Sequence, residues 1–180
     1  MDDVDRLFRE YHAPLVRYLT RRLGDRDWAE EVAQETFLRA LRHGPVASER
    51  AWLFAVATNL VRDEARRDAR RRRHLQLLAV HVAADEAAAI AAPEPSSLEA
   101  AQERAREQAL ARRAVDALAE RDRLALLMRE EGLDYGEIAT ALGLSAGSVG
   151  TTLARARRRL VERYEALARG DATEGTHAIS

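Results

Sequence analysis

LDYGEIATALGLSAGSVGTTLARARRRL, residues 133–160, is the stretch that decides the fold expected for the C-terminal half of this 180-residue chain. Asp134 precedes an apolar-periodic segment, and Glu137 follows three residues later, which is the spacing of a capping box at a helix start. Gly143 then permits a sharp turn, because glycine adopts a positive φ at little cost. Apolar residues recur every three or four positions after the turn, at Val149, Leu153, Ala156 and Leu160. The sequence therefore predicts a helix-turn-helix.

The opposite face of its second helix is polar and basic. It starts with hydroxyl side chains and ends with arginines, namely Ser148, Thr151, Thr152, Arg155, Arg158 and Arg159. A helix that enters the major groove uses small polar groups for base edges and arginines for phosphates. An ordinary helical hairpin with a solvated basic face is the alternative. The pattern favours DNA binding, because the cap, the turn and the apolar stripe agree.

Composition favours an all-α protein and gives no sign of catalysis. Aromatic residues make up only 5% of the chain, which has four prolines and nine glycines. The absence of cysteine excludes a disulfide framework, a zinc ribbon and thiol chemistry. The five histidines lie far apart, so we expect no metal site. No phosphate-binding loop, esterase elbow or metalloprotease motif occurs, so we predict no cofactor and no enzymatic activity.

The N-terminus and the hydropathy pattern indicate a cytoplasmic protein. The chain opens with MDDVDRLF, which is acidic where a secretory signal would be basic. No apolar run approaches the roughly 18 residues that span a bilayer. We therefore expect no membrane insertion.

Charge is strongly clustered although the net charge is only −1. Residues 66–73 carry six arginines and one aspartate, and residues 151–169 carry six arginines and two glutamates. Between them, residues 74–100 carry four acids and no arginine. Local clusters, rather than the overall balance, decide attraction to phosphates. The chain therefore has two basic patches separated by an acidic segment.

Three helices are predicted in the N-terminal part, over about 4–23, 27–41 and from 48 into the arginine run. Pro14 lies inside the first pattern, which allows a kink or break there. In the second helix we expect an inward face of Val32, Ala33, Phe37, Leu38 and Leu41. In the third helix we expect the stripe of Trp52, Val56 and Leu60 to be core.

Two further polar patterns are candidate binding features. The second helix carries a face of Glu31, Gln34, Glu35 and Arg39. This face is either solvated surface or an electrostatic docking site for a basic partner helix. The third helix carries Asn59 in mid-helix, followed by Arg62, Arg66 and Arg67. The amide is either a satisfied surface group or a reader of a base edge, and the arginines are spaced to follow phosphates.

These segments, in this order, resemble the extracytoplasmic-function group of bacterial RNA polymerase sigma factors. AEEVAQETFLRAL (29–41) is similar to the helix that binds core polymerase in that family. AWLFAVATNLVRDEARR (51–67) is similar to the helix that reads the promoter −10 element, and residues 131–160 resemble the helix-turn-helix that reads the −35 element. The resemblance covers about residues 5–165.

The resemblance implies two small helical domains joined by a flexible acidic linker. Residues 1–74 would form a region 2 domain and residues 98–169 a region 4 domain with four helices. Residues 75–97 would form the linker, part of which, within 75–84, could still be helical. Residues 170–180 would be a disordered tail.

It also implies roles for particular residues. Glu31, Gln34, Glu35 and Arg39 would bind core RNA polymerase at its β′ clamp helices, and the C-terminal domain would meet the β flap. Asn59, with the loop 43–50, would hold a base flipped from the melted −10 strand, and Arg62, Arg66 and Arg67 would hold the adjacent backbone. The −35 groove would be read by Ser148, Thr151, Thr152 and Arg155, and phosphates would be gripped by Arg157, Arg158 and Arg159.

The implied partners are core RNA polymerase, promoter DNA and an anti-sigma factor.

One departure from the family pattern concerns the −35 helix. After Gly-Ser-Val the family usually has a long polar residue and then a serine–arginine pair, whereas this chain has Gly150, Thr151 and Thr152. A stand-alone helix-turn-helix regulator and an all-helical scaffold are the alternative functions. The acidic helix and the basic helix of the N-terminal half favour the sigma factor.

Overall fold

The structure is a computed structural model that describes residues 2–44, 46–78 and 95–177, with side chains over 5–44, 46–68 and 101–170. These residues form helices and no strand, so the all-α prediction is confirmed. The helices are α1 (Asp2–Leu23), α2 (Arg26–His43), α3 (Glu49–Leu78), α4 (Pro95–Asp116), α5 (Glu120–Glu130), α6 (Tyr135–Leu142) and α7 (Ala146–His177). None of the helices in the described ranges is long and apolar enough to cross a membrane.

The chain divides into two compact units that do not follow chain order. The first unit comprises Met1–Ala69 and Ala119–Arg157, and the second comprises Arg70–Leu118 and Arg158–Ser180. Buried apolar side chains of the first unit form one cluster, drawn from both of its stretches. The expected boundaries of a 1–74 domain and a 98–169 domain stay predictions, because the first unit takes residues from both.

The N-terminal helices enclose an aromatic and aliphatic core. Tyr18 and Phe54 are fully buried, and their ring centroids lie 5.0 Å apart. The Tyr18 hydroxyl lies 2.7 Å from Thr58 Oγ1, so this buried phenol has a hydrogen-bond partner. Burial is the main reason why the pKa of Tyr18 is raised above its usual value. Helix α1 continues through Pro14, so the break that the sequence allowed does not occur.

The core prediction for α2 is wrong at two residues, and the one for α3 is confirmed only in part, because Trp52 and Leu60 pack against the core cluster from partly buried positions. Leu38 and Leu41 are 46% and 55% exposed, because the buried face of α2 is narrower than the pattern suggested. That face consists of Ala29, Val32, Ala33, Thr36 and Phe37. In α3 the core stripe is Leu53, Phe54, Ala57 and Val61, whereas Trp52, Val56 and Leu60 are only partly buried.

The helix-turn-helix is confirmed in its local details. Asp134 Oδ1 accepts a hydrogen bond from the Glu137 backbone N–H (2.8 Å), and Glu137 Oε2 accepts one from the Asp134 N–H (2.9 Å). Gly143 ends α6 in the left-handed conformation at φ +64°. In α7, Val149, Leu153 and Ala156 are fully buried. The turn and the capping box therefore set the angle at which α7 leaves α6.

The ends of the long helices differ from the predictions. Helix α3 extends to Leu78 and α4 begins at Pro95, so both ends of the expected linker are helical, and residues 79–94 lie outside the described residues. Helix α7 runs to His177, which corrects the prediction of a disordered tail from residue 170. No proline follows Pro95, and a helix that is already nucleated propagates at low cost.

The buried hydroxyl pair offers a test of this core. Tyr18→Phe keeps the ring volume and leaves the Thr58 hydroxyl without its phenol partner, so we expect the free energy of unfolding to fall by about 1 kcal/mol. Urea unfolding monitored by circular dichroism measures the change. Tyr164→Phe, a partly buried tyrosine on α7, is the control and should leave the midpoint unchanged. An unaltered midpoint in Tyr18→Phe would show that the pair does not stabilise the fold.

Candidate nucleic-acid interface

A cavity of about 430 Å³ opens between α2 and α3 beside Asn59. The His43 and Trp52 rings lie beside each other in it, with centroids 4.9 Å apart. Flat rings stack on nucleobases, an amide pairs with base edges, and arginines bind phosphates. These three groups occur together in the cavity, whose lining residues are Arg39, Arg42, His43, Trp52, Val56 and Asn59. The structure thus brings Asn59 together with one end of the loop 43–50.

Arg39 contacts both the acidic face of α2 and the cavity beside Asn59. The resemblance predicts Arg39 on the polymerase-binding face of α2, but its side chain lines the Asn59 cavity. Its Nε donates a hydrogen bond to Glu35 Oε1 over 2.8 Å. Arg39 therefore connects the acidic face of α2 with the cavity.

The acidic face of α2 continues onto α3. A smaller cavity of about 200 Å³ is lined by Trp28, Glu31, Val32, Glu35, Leu60 and Glu64. Further along α2, Leu38 and Leu41 follow Gln34 at helical spacing and are exposed. Sequence reasoning missed Trp28 and Glu64 and assigned both leucines to the core. We call Glu31, Gln34, Glu35, Leu38 and Leu41 the α2 docking stripe. Its first residues are acidic or polar, and its last two are exposed leucines.

The predicted phosphate-binding arginines of α3 differ in their surroundings. Arg66 and Arg67 are exposed, and Arg66 Nη1 lies 3.6 Å from an Asp63 oxygen. Arg62 is only 32% exposed, and its Nε donates to Glu120 Oε1 over 3.0 Å. The side chains of residues 70–73, the rest of the basic run, lie outside the described residues. Arg62 is therefore engaged by the C-terminal half of the chain.

The recognition helix α7 exposes some of its predicted residues and hides others. Thr151, Arg157, Arg158 and Arg159 are exposed, and Ser148 is half-buried. Thr152 is 4% exposed, so its placement on the outer face is wrong: it lies among Val149, Leu153 and Ala156 in the buried stripe. The Ser148 and Thr151 hydroxyls each donate to a backbone carbonyl three residues earlier, over 2.8 and 2.9 Å. Both oxygens can still accept hydrogen bonds.

Arg155 pairs with a buried carboxylate while its own side chain stays partly exposed. Its Nη2 and Nε donate to the two oxygens of Asp122 over 2.6 and 3.2 Å, a two-point pairing. The Asp122 side chain is 1% exposed, whereas that of Arg155 is 39% exposed. The carboxylate raises the pKa of Arg155 through its hydrogen bond and its charge. The pair joins α7 to α5. The role of Arg155 in base reading stays a prediction.

Helix α5 is bound at its other acidic positions by arginines from α1 and α3. At its start, Glu120 Oε1 accepts from Arg22 Nη2 (3.2 Å) and from Arg62 Nε. Just beyond its end, Glu131 accepts from Arg17 Nη2 (2.9 Å) and Nε (3.1 Å) and from Arg21 Nη1 (3.3 Å). These pairs join residues that are 58 to 114 positions apart in the chain. No spacing in the sequence predicts these long-range ion pairs.

Burial and charge oppose each other at Glu120. Desolvation raises the pKa of this carboxyl, but the hydrogen bond and charge of Arg62 and the charge of Arg22 outweigh it, so the pKa lies below the usual 4.5. Burial lowers the pKa of Arg22, whose side chain is 4% exposed. Because the Glu120 pKa is depressed, the pairing stabilises the fold above pH 4.5 and is lost as the pH falls through the depressed value.

Two family models and several known proteins match this chain. Residues 7–71 match the family model described as sigma-70 region 2, and residues 108–160 match the one described as sigma-70, region 4. The ECF RNA polymerase sigma factor SigL of Mycobacterium tuberculosis is 48% identical over 65 residues, 33% of this chain and 37% of that protein's length. The RNA polymerase sigma factor YlaC of Bacillus subtilis is 29% identical over 164 residues, 88% of this chain and 90% of its own.

A solved structure shows the same fold. The chain described as sigma factor RpoE, in complex with the anti-sigma factor NepR from Bartonella quintana, matches with a TM-score of 0.67. The alignment covers 92% of this chain and 98% of that chain at 22% identity.

The protein is an all-helical DNA-binding protein with two family regions. Its fold, its basic recognition helix and the family matches together define this class. The chain belongs to the sigma-70 family of RNA polymerase sigma factors, in the extracytoplasmic-function group. The family predicted from the three sequence segments is therefore confirmed.

The Arg155–Asp122 pair allows a test that separates structure from base reading. Arg155→Ala should lower the thermal unfolding midpoint, because it leaves the buried Asp122 carboxylate without this cation. In an Asp122→Asn background the same change should cost less, so the two effects should not add. Thermal unfolding of the single and double variants measures the coupling. Arg158→Ala, an exposed arginine three residues on, is the control. Additive effects would contradict the structural role.

Proposed function

We propose that this chain is the promoter-specificity subunit of RNA polymerase, which binds the core enzyme, recognises a promoter and opens its −10 strands. It does so by binding rather than by catalysis. The observation that carries the proposal is the cavity at Asn59, which combines two rings, an amide and arginines beside the basic helix α3. The two family regions, in this order, support it further.

Strand opening follows from the chemistry of the cavity. Unstacking and unpairing a base costs a few kcal/mol, so transient openings occur without an external energy source. A pocket that stacks the extruded base on Trp52 or His43 and pairs its edge with Asn59 stabilises the open form. Arg66 and Arg67, both exposed on α3, then hold the adjacent phosphates. Capture of this kind opens the promoter without ATP.

Core polymerase binds to the α2 docking stripe in this proposal. Protein interfaces combine an apolar centre with charged residues that set orientation and register. Leu38 and Leu41 supply the apolar part, and Glu31 and Glu35 supply carboxylates for a basic helix such as the β′ clamp helices. The region 4 part of the chain would bind the β flap. A partner of the anti-sigma class is proposed as well, because a structural neighbour of this fold is a sigma factor in complex with such a protein.

Recognition of the −35 element uses the exposed part of α7. Thr151 and Ser148 offer hydroxyl oxygens to base edges at the start of the helix, and Arg157, Arg158 and Arg159 grip phosphates. Thr152 is not part of the proposed contact, because it is buried. Arg155 acts through α5 and positions the helix.

Run-off transcription tests the function as a whole. The chain, mixed with core polymerase from its own source and with genomic fragments, should yield discrete start sites that core polymerase alone does not give. Absence of any start site, with a folded chain and an active core, would refute the proposal.

Asn59→Ala should impair promoter opening more than initial binding. The amide contacts the base only after extrusion, so permanganate reactivity of the −10 thymines should fall several-fold while gel-shift affinity for the closed complex changes little. Gln108→Ala removes an exposed amide on α4 and serves as the control. Equal losses in both assays would contradict base capture.

Leu38→Ala combined with Leu41→Ala should weaken core-polymerase binding by about tenfold, since buried apolar anchors carry much of an interface's energy. Fluorescence anisotropy of the labelled chain titrated with core enzyme measures the affinity. Val161→Ala, an equally exposed apolar residue on α7, is the matched control. Unchanged affinity in the double variant would remove these leucines from the docking stripe.

A further inference from the structure

We propose that Tyr135, at the start of α6, is a specificity-determining residue that contacts the methyl group of a thymine in the −35 element. This inference rests on the proposed function, because it names a base that the helix-turn-helix reads. Sequence reasoning gave Tyr135 no role. Its side chain is 44% exposed, so a large ring lies at the surface beside the recognition helix.

The Tyr135 ring lies against α7 at a residue that has no side chain. A Cβ added to Gly150 would lie 3.6 Å from Tyr135 Cε2, which is ordinary van der Waals contact. A longer side chain at Gly150 would compete with the ring for the same space. Successive helix positions are about 100° apart, so Gly150 lies between the buried Val149 and the exposed Thr151. The ring therefore adjoins the exposed face of α7 that meets DNA in the proposed function.

A cation holds the ring in this position. The guanidinium carbon of Arg129 lies 5.5 Å from the Tyr135 ring centroid, which is a cation–π contact. Arg129 is itself held, because its Nη1 donates a hydrogen bond to the Leu133 backbone carbonyl over 2.8 Å. A tyrosine has only two side-chain torsions, so a ring supported in this way loses little conformational entropy when it binds DNA.

Small residues form the flank of α7 beside the ring. Gly147 lies about one turn before Gly150 and Ala154 about one turn after it, and both are exposed. Arg157 follows after a further turn. Because small side chains do not extend past the ring, a base edge that approaches the start of α7 reaches Tyr135.

The hydroxyls next to the ring indicate which base pair it reads. Ser148 and Thr151 donate their hydrogens to backbone carbonyls three residues earlier, so their oxygens are left as acceptors. In the major groove the amino groups of adenine and cytosine are donors, and the thymine C5-methyl group is an apolar surface. An A·T pair presents a donor and a methyl group together. The two acceptors and the ring therefore favour an A·T pair.

Deoxyuridine in place of thymine tests the contact, because the two bases differ only by the methyl group. The full-length chain, alone and with core polymerase, is first used to enrich duplexes from a random-sequence pool. Each thymine of the enriched duplex is then replaced in turn, and gel shifts measure the affinity. We expect one position at which the replacement weakens binding about fourfold, the contribution of burying one methyl group. No such position would overturn the inference.

Removal of the ring should abolish this methyl effect. In Tyr135→Ala the same replacement should weaken binding no further, whereas Tyr135→Phe keeps the ring and should keep the methyl effect. Val161→Ala, another exposed apolar residue, is the control and should keep it as well. Circular dichroism establishes that each variant is folded. A purely structural role would weaken binding to both duplexes equally, so a methyl effect that persists in Tyr135→Ala would overturn the inference.

Substitution of Gly150 gives a second test that leaves Tyr135 in place. Gly150→Ala adds only a Cβ at ordinary contact distance from the ring, so the methyl effect should remain. Gly150→Gln adds a longer uncharged side chain that displaces the ring, so the methyl effect should fall. An undiminished methyl effect in Gly150→Gln would overturn the role assigned to Gly150.

The outcomes separate this inference from the proposed function. Start sites in run-off transcription, with a −35 element that tolerates deoxyuridine at every thymine, would retain the proposed function and overturn the inference. A methyl effect that depends on Tyr135, in a chain that gives no start site, would show the reverse. A chain that enriches no duplex, alone or with core polymerase, would overturn both.

Discussion

The buried carboxylate of Glu131 is the contact on which the first unit depends. Its side chain is 3% exposed, and a carboxylate removed from water without compensating cations is strongly unfavourable. Arg17 and Arg21 supply that compensation from α1, and Arg50 binds the carbonyls of the same turn from α3. The turn at Glu131 and Gly132 accepts hydrogen bonds from arginines of both α1 and α3. The position of α5 against these two helices is therefore fixed by charge as well as by apolar packing.

Arginine chemistry explains why residues suited to DNA are also found in ion pairs within the chain. A guanidinium fork binds carboxylates and phosphates with the same geometry, so an arginine chosen for one is available to the other. The exposure of the acid distinguishes two cases. Asp122 is 1% exposed, so its pairing with Arg155 belongs to the fold. Glu120 is 48% exposed, so water and phosphate can reach its pairing with Arg62.

Local features were predictable from the sequence, and long-range ones were not. The capping box at Asp134 and the turn at Gly143 depend on a few adjacent residues, so spacing alone identified them. Periodicity located the faces of α2 and α7 but not their width, which is why Leu41 was assigned to the core and Thr152 to the surface. The three segments correctly identified the family, whereas pairs such as Arg17–Glu131 left no local signature. The rings beside Asn59 come together only when α2 packs on α3.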